Sequence, residues 1–319
     1  MKILVTGGCG FIGSNFVRML LKETQLEIIN LDALTYAGNP ENLKSVEDNE
    51  RYTFVKGDIT NKEDIENAMN GVDIVYHFAA ESHVDNSIND SDPFIRTNVI
   101  GTKNMLDVGM QKGIKRFVHV STDEVYGSVE QGKSTEEDKL EPRNPYSASK
   151  AASDLLALSY ANTYGLDVVV TRSSNNYGPY QYPEKVIPLF VTNLMEEKKV
   201  PVYGAGKNIR DWLFVEDNCR GILTAGEKGK KGNIYNVDGG NELSNIELTK
   251  RILAMMGKGE EMIQHVEDRK GHDLRYSLNS SKLEALGWKP KKNFEEGLKE
   301  TVEWYKNNEA WWKPLKVGK

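Results

Sequence analysis

The sequence is poor in the residues that would announce metal, disulfide or membrane chemistry. Only two cysteines occur in 319 residues, Cys9 in a glycine-rich turn and Cys219 far downstream, a spacing that excludes a disulfide framework and a paired-cysteine metal site. Five histidines are scattered without a close His/Cys cluster, so no metal is expected. No apolar run approaches the roughly 20 residues needed to cross a bilayer. The opening segment Met1-Lys2-Ile3-Leu4-Val5-Thr6 runs directly into glycine, too short an apolar stretch for a secretory signal, and the expected location is the cytoplasm. A basic excess is missing too: 41 Lys and Arg stand against 47 Asp and Glu, a net charge of -6. That balance argues against nucleic acid as a partner.

What is present reads as an ordinary globular chain. Hydrophobic residues make up 39% and charged residues 28%, above the range in which a chain cannot bury enough apolar surface to fold. Apolar, β-branched runs recur at residues 3–6, 28–31, 52–55, 74–78, 117–121 and 168–171, with helix-period segments between them. Near-continuous apolar strands separated by helices predict a parallel sheet covered on both faces by right-handed crossovers. Beyond residue 171 the alternation loosens. Residues 173–183, Ser-Ser-Asn-Asn-Tyr-Gly-Pro-Tyr-Gln-Tyr-Pro, are dense in turn formers and aromatics and read as an active-site loop. A strand at 234–237 and helices at 246–256 and 294–306 follow.

The first strand leads straight into Gly7-Gly8-Cys9-Gly10-Phe11-Ile12-Gly13, which opens a helix near Phe11. In that context Gly7 permits a tight turn, Gly10 lets backbone N–H groups approach a pyrophosphate, and Gly13 allows close helix-to-strand packing. Asp32 ends the second strand about twenty residues on, where a carboxylate accepts hydrogen bonds from ribose hydroxyls and repels a 2′-phosphate; NAD is favoured over NADP. Asp58 and Ile59 after the third strand, and Phe78, Ala79 and Ala80 after the fourth, are the next candidates for contact with the cofactor. The fold expected is α/β, a Rossmann-type doubly wound parallel sheet with a smaller mixed α/β C-terminal substrate domain. Residues 1–172 with 209–238 form the expected cofactor domain, and residues 173–208 with 239–319 the other.

Two further clusters carry chemistry. Tyr146 and Lys150 lie one helical turn apart, so both side chains can face the same way. An ammonium near a phenol favours the phenolate, lowering a pKa that starts near 10 and letting tyrosine accept a hydroxyl proton. Upstream, Ser121-Thr122-Asp123-Glu124-Val125-Tyr126-Gly127 places two adjacent carboxylates at the end of the fifth strand, where such sheets form their ligand crevice. Hydride transfer alone needs no such pair. The pair suggests acid and base chemistry alongside hydride transfer, one group taking a proton while another delivers one.

These motifs, together with Ser174-Asn175-Asn176-Tyr177-Gly178-Pro179-Tyr180-Gln181 and Asn208-Ile209-Arg210-Asp211-Trp212-Leu213, resemble the extended short-chain dehydrogenase/reductases, the group of nucleotide-sugar epimerases, dehydratases and decarboxylases. The similarity runs end to end. Asp123-Glu124 stands where the epimerases of the group carry small or hydroxyl residues, and so points to the 4,6-dehydratases. The resemblance implies a hydro-lyase that oxidises C4 of a nucleotide-linked glucose, removes water across C5 and C6, and returns hydride to C6, in deoxysugar (rhamnose-type) biosynthesis. Its implied substrate is dTDP-glucose, with UDP- or CDP-glucose as alternatives; an NAD-holding regulatory protein without turnover is a further reading. By resemblance Tyr146 is the base at C4, Glu124 the base at C5, Asp123 the acid at C6, and Thr122 a hydrogen-bond partner of the reacting hydroxyl.

The same resemblance adds Thr97 and Asn176 to the cofactor contacts. It places substrate contacts at Ser82, His83, Asp85, Asn175, Glu184, Lys185, Val186, Pro201, Val202, Tyr203, Arg210, Asn245, Arg269 and His272. Arginines suit a diphosphate, which they grip with paired hydrogen bonds. Departures from the group's pattern are Phe214, Asn218, Lys270 and Leu274. The segments 97–112 and 145–164 resemble helices that pair two protomers, so a homodimer is expected.

Overall fold

The computed structural model describes residues 1–268 and 271–317. Its strands are β1 (Lys2–Thr6), β2 (Glu27–Asp32), β3 (Tyr52–Lys56), β4 (Ile74–His77), β5 (Arg116–Thr122), β6 (Val168–Ser173), β7 (Asn175–Tyr177), β8 (Val200–Tyr203), β9 (Ile209–Phe214), β10 (Asn233–Val237), β11 (Glu242–Ser244) and β12 (Ile263–Val266). Seven of them form one sheet in the order β10-β6-β5-β4-β1-β2-β3, and every neighbouring pair is parallel. The chain winds outward in both directions from β1, so the order reverses between β1 and β4. In doubly wound sheets that reversal opens a crevice beyond the strands' C-terminal ends.

The apolar runs serve two faces at once. Side chains alternate along a strand: Leu4, Val75, Phe117 and Val168 join Met105, Leu106, Ala157 and Tyr160 in one core layer. Ile3, Val5 and Val118 join Phe16, Leu20, Cys219 and Ile222 in the other. All six residues of β6 are buried.

The rest of the chain builds a smaller unit. β9 pairs antiparallel with β11 and parallel with β7, and β8 pairs with β12. A separate core of Ile187, Phe190, Trp212, Leu248, Leu298, Tyr305 and Trp312 holds this unit together. The helix Val215–Lys228 and β10 then return to the large sheet. Two local expectations are corrected. Residues 173–183 are not wholly loop, because Asn175, Asn176 and Tyr177 pair with Trp212, Leu213 and Phe214. Asparagine is a poor strand former, and the pairing is supplied by tertiary structure. The segment 97–112 is not uniformly α-helical: a π-helical turn, Ile95–Gly101, precedes the α-helix Thr102–Lys112. Among the described residues no helix is long and apolar enough to cross a membrane.

Candidate active site

The crevice at the strand reversal is a cavity of about 340 Å³. The glycine turn forms its floor. Gly7 has φ +70, and a Cβ there would sit 2.7 Å from the Ala79 nitrogen, while a Cβ on Gly13 would sit 2.3 Å from the Gly7 carbonyl oxygen. Side chains are therefore excluded, and the first helix, Phe11–Glu23, starts hard against β1. Asp32 accepts the backbone N–H groups of Cys9 and Leu34, each at 2.8 Å, with one carboxylate oxygen apiece, and burial raises its pKa. Phe11, Ile12, Asp58, Ile59, Phe78, Ala79, Ala80, Thr97 and Asn176 line the same cavity as Gly7, Gly10, Gly13 and Asp32. Buried polar atoms without a protein partner are set in its wall: Ser121 Oγ, Asn175 Oδ1, Asn176 Oδ1 and Gln181 Oε1. A glycine cradle, a carboxylate at the end of β2 and unpaired hydrogen-bonding atoms fit a dinucleotide.

β5 delivers Thr122, Asp123 and Glu124 to this cavity. The strand stops in a single 3-10 turn, Asp123–Tyr126, which Thr122 caps by accepting the Glu124 N–H at 3.3 Å and donating to Asp123 Oδ1 at 3.2 Å. Gly127 closes the turn at φ +73, where a Cβ would stand 2.4 Å from the Glu141 carbonyl oxygen. Tyr146 and Lys150 come from the helix Pro145–Thr163, whose Asn144–Ser147 capping box fixes its first turn. The Lys150 ammonium donates to the Val120 carbonyl at 2.8 Å.

The environments of the two carboxylates differ. Burial and the neighbouring Glu124 raise Asp123 well above the ordinary range. Burial also raises Glu124, but Arg210, Lys185 and a hydrogen bond from Asn144 pull it back. Lys150 is lowered to about 8 by burial, against the opposing charge of Asp154. The lowered phenol pKa expected of a Tyr/Lys pair is absent here: burial and then Glu124 push Tyr146 upward, and the hydrogen bond with Thr122 opposes them.

A second cavity of about 240 Å³ adjoins the first and shares Ser82, Glu124, Asn175, Asn176, Gln181, Glu184 and Lys185 with it. His83, Asp85, Val186, Pro201, Val202, Tyr203, Arg210, Asn245 and His272 line it. Tyr203 and His272 meet edge to face at 6.0 Å. Arg210 donates to the Ile209 and Asp273 carbonyls at 2.8 and 3.0 Å and lies 4.2 Å from the centre of the Tyr276 ring. It acts on Asp123 and Glu124 as well as on the second cavity. Arg269 and Lys270 lie outside the described residues. Of the departures, Phe214 is buried against Tyr177 and Asn218 accepts a 2.7 Å hydrogen bond from Ser173; neither is among the residues lining these two cavities.

Residues 4–301 match the GDP-mannose 4,6 dehydratase family. The chain belongs to that family. It is similar to a dTDP-glucose 4,6-dehydratase of Streptomyces niveus, 52% identical over 99% of this chain and 96% of that one. Among solved structures, DesIV of Streptomyces venezuelae, a dTDP-glucose 4,6-dehydratase with NAD bound, superimposes with a TM-score of 0.97 at 52% identity, covering 99% and 100% of the two chains. The dTDP-glucose 4,6-dehydratase of Bacillus anthracis in complex with NAD gives 0.93 at 51% identity, covering 99% of each.

Within this family member, several residues that shape the site escaped the sequence reading. Asn98, fully buried, accepts from the Glu81 N–H and donates to the Glu81 carbonyl and Ser149, tying the segment before Ser82 to the Lys150 helix. Tyr276 supports Arg210, and Tyr36 and Trp311 line the first cavity. None has a local signature, because each acts through a partner far along the chain: Asn98 through Glu81, Tyr36 through Glu184, Tyr276 through Arg210 and Trp311 through Asn42.

Proposed function

We propose that this chain is an NAD-dependent dTDP-glucose 4,6-dehydratase, a hydro-lyase that converts dTDP-glucose to dTDP-4-keto-6-deoxy-glucose and water in deoxysugar biosynthesis. The observation that carries the reading is the pair Asp123 and Glu124 beside Tyr146, two adjacent carboxylates whose surroundings bias them unequally toward the proton. Bound NAD supplies the hydride acceptor for C4 and the hydride donor for C6, held by Gly7, Gly10, Gly13 and Asp32.

In this proposal Tyr146 takes the proton of the C4 hydroxyl, assisted by Thr122. Proton removal has to offset the burial that favours the neutral phenol, and the Lys150 charge is the group provided for it. The C4 ketone so formed acidifies the C5 hydrogen. Glu124, drawn back toward its carboxylate form by Lys185 and the Asn144 hydrogen bond, takes that proton. Asp123, raised by burial and by Glu124, gives its proton to the departing C6 hydroxyl, which leaves as water, and the proton held by Glu124 returns to C5 as hydride enters C6. Residues 1–172 with 209–238 carry the cofactor, and residues 173–208 with 239–319 close over the sugar nucleotide, with Arg210, Tyr203 and His272 in the second cavity as its principal contacts.

The proposed assembly is a homodimer through the segments 97–112 and 145–164, supported by the exposed side chains of Ile100, Leu155 and Tyr164. The proposed location is the cytoplasm, supported by two unpaired, buried thiols. Incubation with dTDP-, UDP- and CDP-glucose without added cofactor, followed by mass and NMR analysis of the sugar, tests the function. Loss of one water from dTDP-glucose alone is expected. Loss from another substrate reassigns the base, and loss from none overturns the reading.

A further inference from the structure

The last helix, Glu309–Val317, reaches the cofactor cavity with one side chain. It carries adjacent tryptophans, and neighbouring positions on a helix point about 100° apart. The two rings accordingly do different things. Trp312 is fully buried in the core of the smaller unit and donates its indole N–H to the Tyr305 carbonyl at 2.9 Å. Trp311 stands in the cavity wall and donates its indole N–H to Asn42 Oδ1 at 2.8 Å. Its ring meets Trp304 edge-on at 4.9 Å and Tyr180 at 5.9 Å.

Asn42 belongs to the other half of the molecule. It lies in the 3-10 helix Pro40–Val46, is 2% exposed, and donates its own amide to the Cys9 carbonyl inside the glycine turn at 2.8 Å. One residue therefore links the C-terminal helix to the proposed pyrophosphate cradle. The far end of the helix is fastened as well: Lys316 donates to Thr192, Asn193 and Glu196 at 3.1, 2.9 and 2.8 Å. The helix is thus anchored on the smaller unit and touches the cofactor half through Trp311. The halves also meet elsewhere: the Tyr36 hydroxyl donates to Glu184 at 3.0 Å, the Asn15 amide to the Pro179 carbonyl at 3.1 Å and Lys185 to the Ser82 carbonyl at 3.2 Å.

We propose that Trp311 is a cofactor-retaining residue: the helix Glu309–Val317 straps the dinucleotide cavity, and the Trp311–Asn42 hydrogen bond must open before NAD can leave. The inference rests on NAD occupying that cavity. It accords with a reaction in which hydride is lent and returned within one turnover, so that exchange of cofactor brings no benefit and loss of it stops the cycle.

The test is cofactor exchange in the full-length NAD-loaded protein. Isotope-labelled NAD is chased with unlabelled NAD, and bound nucleotide is counted after desalting. Trp311→Phe keeps a smaller aromatic ring against Trp304 and Tyr180 and removes the N–H donor together with the pyrrole part of the indole; Trp311→Ala removes the whole ring. Release from the Phe variant is expected to be faster by up to about tenfold, the range a single lost hydrogen bond supports, and faster still from the Ala variant. Thermal unfolding of the Phe variant checks that the fold is kept. Release at the unmodified rate from both variants overturns the latch and leaves the cofactor site standing. An unmodified protein that binds no NAD in equilibrium dialysis overturns both.

Discussion

The Asp154 carboxylate lies 2.8 Å from Nε of Arg172, and neither side chain is more than 2% exposed. His119 stands 3.3 Å from the other carboxylate oxygen. Removing one member of such a pair strands a charge out of water. Asp154→Asn is therefore expected to cost about 3–5 kcal/mol of stability, measured by urea unfolding. An unchanged midpoint and slope would show that the pair contributes nothing net.

Lys150 sits four residues before Asp154 and is lowered to about 8 by burial. Its ammonium is present below that pH and lost as pH rises through it. If the charge assists Tyr146, kcat/KM of the NAD-loaded enzyme falls on an alkaline limb near pH 8. Lys150→Met should lower the plateau and abolish the limb; a limb that persists belongs to another group.

Glu124→Gln keeps the size of the side chain and removes its base. Exchange of the C5 hydrogen with solvent should stop, with turnover falling about 10²–10⁴-fold, while oxidation at C4 still appears as an absorbance change of the bound cofactor. Asp123→Asn should spare C5 exchange and block loss of water. The opposite pattern would interchange the two roles.

Asp32 holds the Cys9 and Leu34 amides as well as facing the cavity. Asp32→Ala should weaken NAD binding and reduce discrimination against NADP, because the carboxylate that repels a 2′-phosphate is gone. Titration with both cofactors measures the ratio, and an unaltered ratio would remove Asp32 from ribose recognition.

The parts legible in the sequence are those encoded locally. Gly7, Gly10, Gly13 and Asp32 follow the strand-turn-helix grammar of the first 32 residues, and Tyr146 and Lys150 are one helical turn apart. Their convergence on one cavity follows from a parallel sheet that brings strand ends to a common edge. β7 was hidden because its asparagines are poor strand formers, and the partner that makes them a strand lies 37 positions away at Trp212. Trp311 was hidden for the same reason, its partner Asn42 being 269 positions distant. The carboxylates were visible as a pair, whereas their inequality depends on Lys185 and Asn144 arriving at Glu124 from two separate segments.

The chain completes its large sheet late. β6, with its three consecutive valines, is bordered on its outer side by β10, which begins only at Asn233, after β7, β8 and β9 have been laid down elsewhere. During synthesis β6 is therefore a bare apolar edge for some sixty residues of elongation, about 3–12 s at 5–20 residues per second. Fragments ending between residues 174 and 232 should accordingly aggregate, and rescue should need both β10, which covers this edge, and Leu248, Leu298, Tyr305 and Trp312, which close the second core.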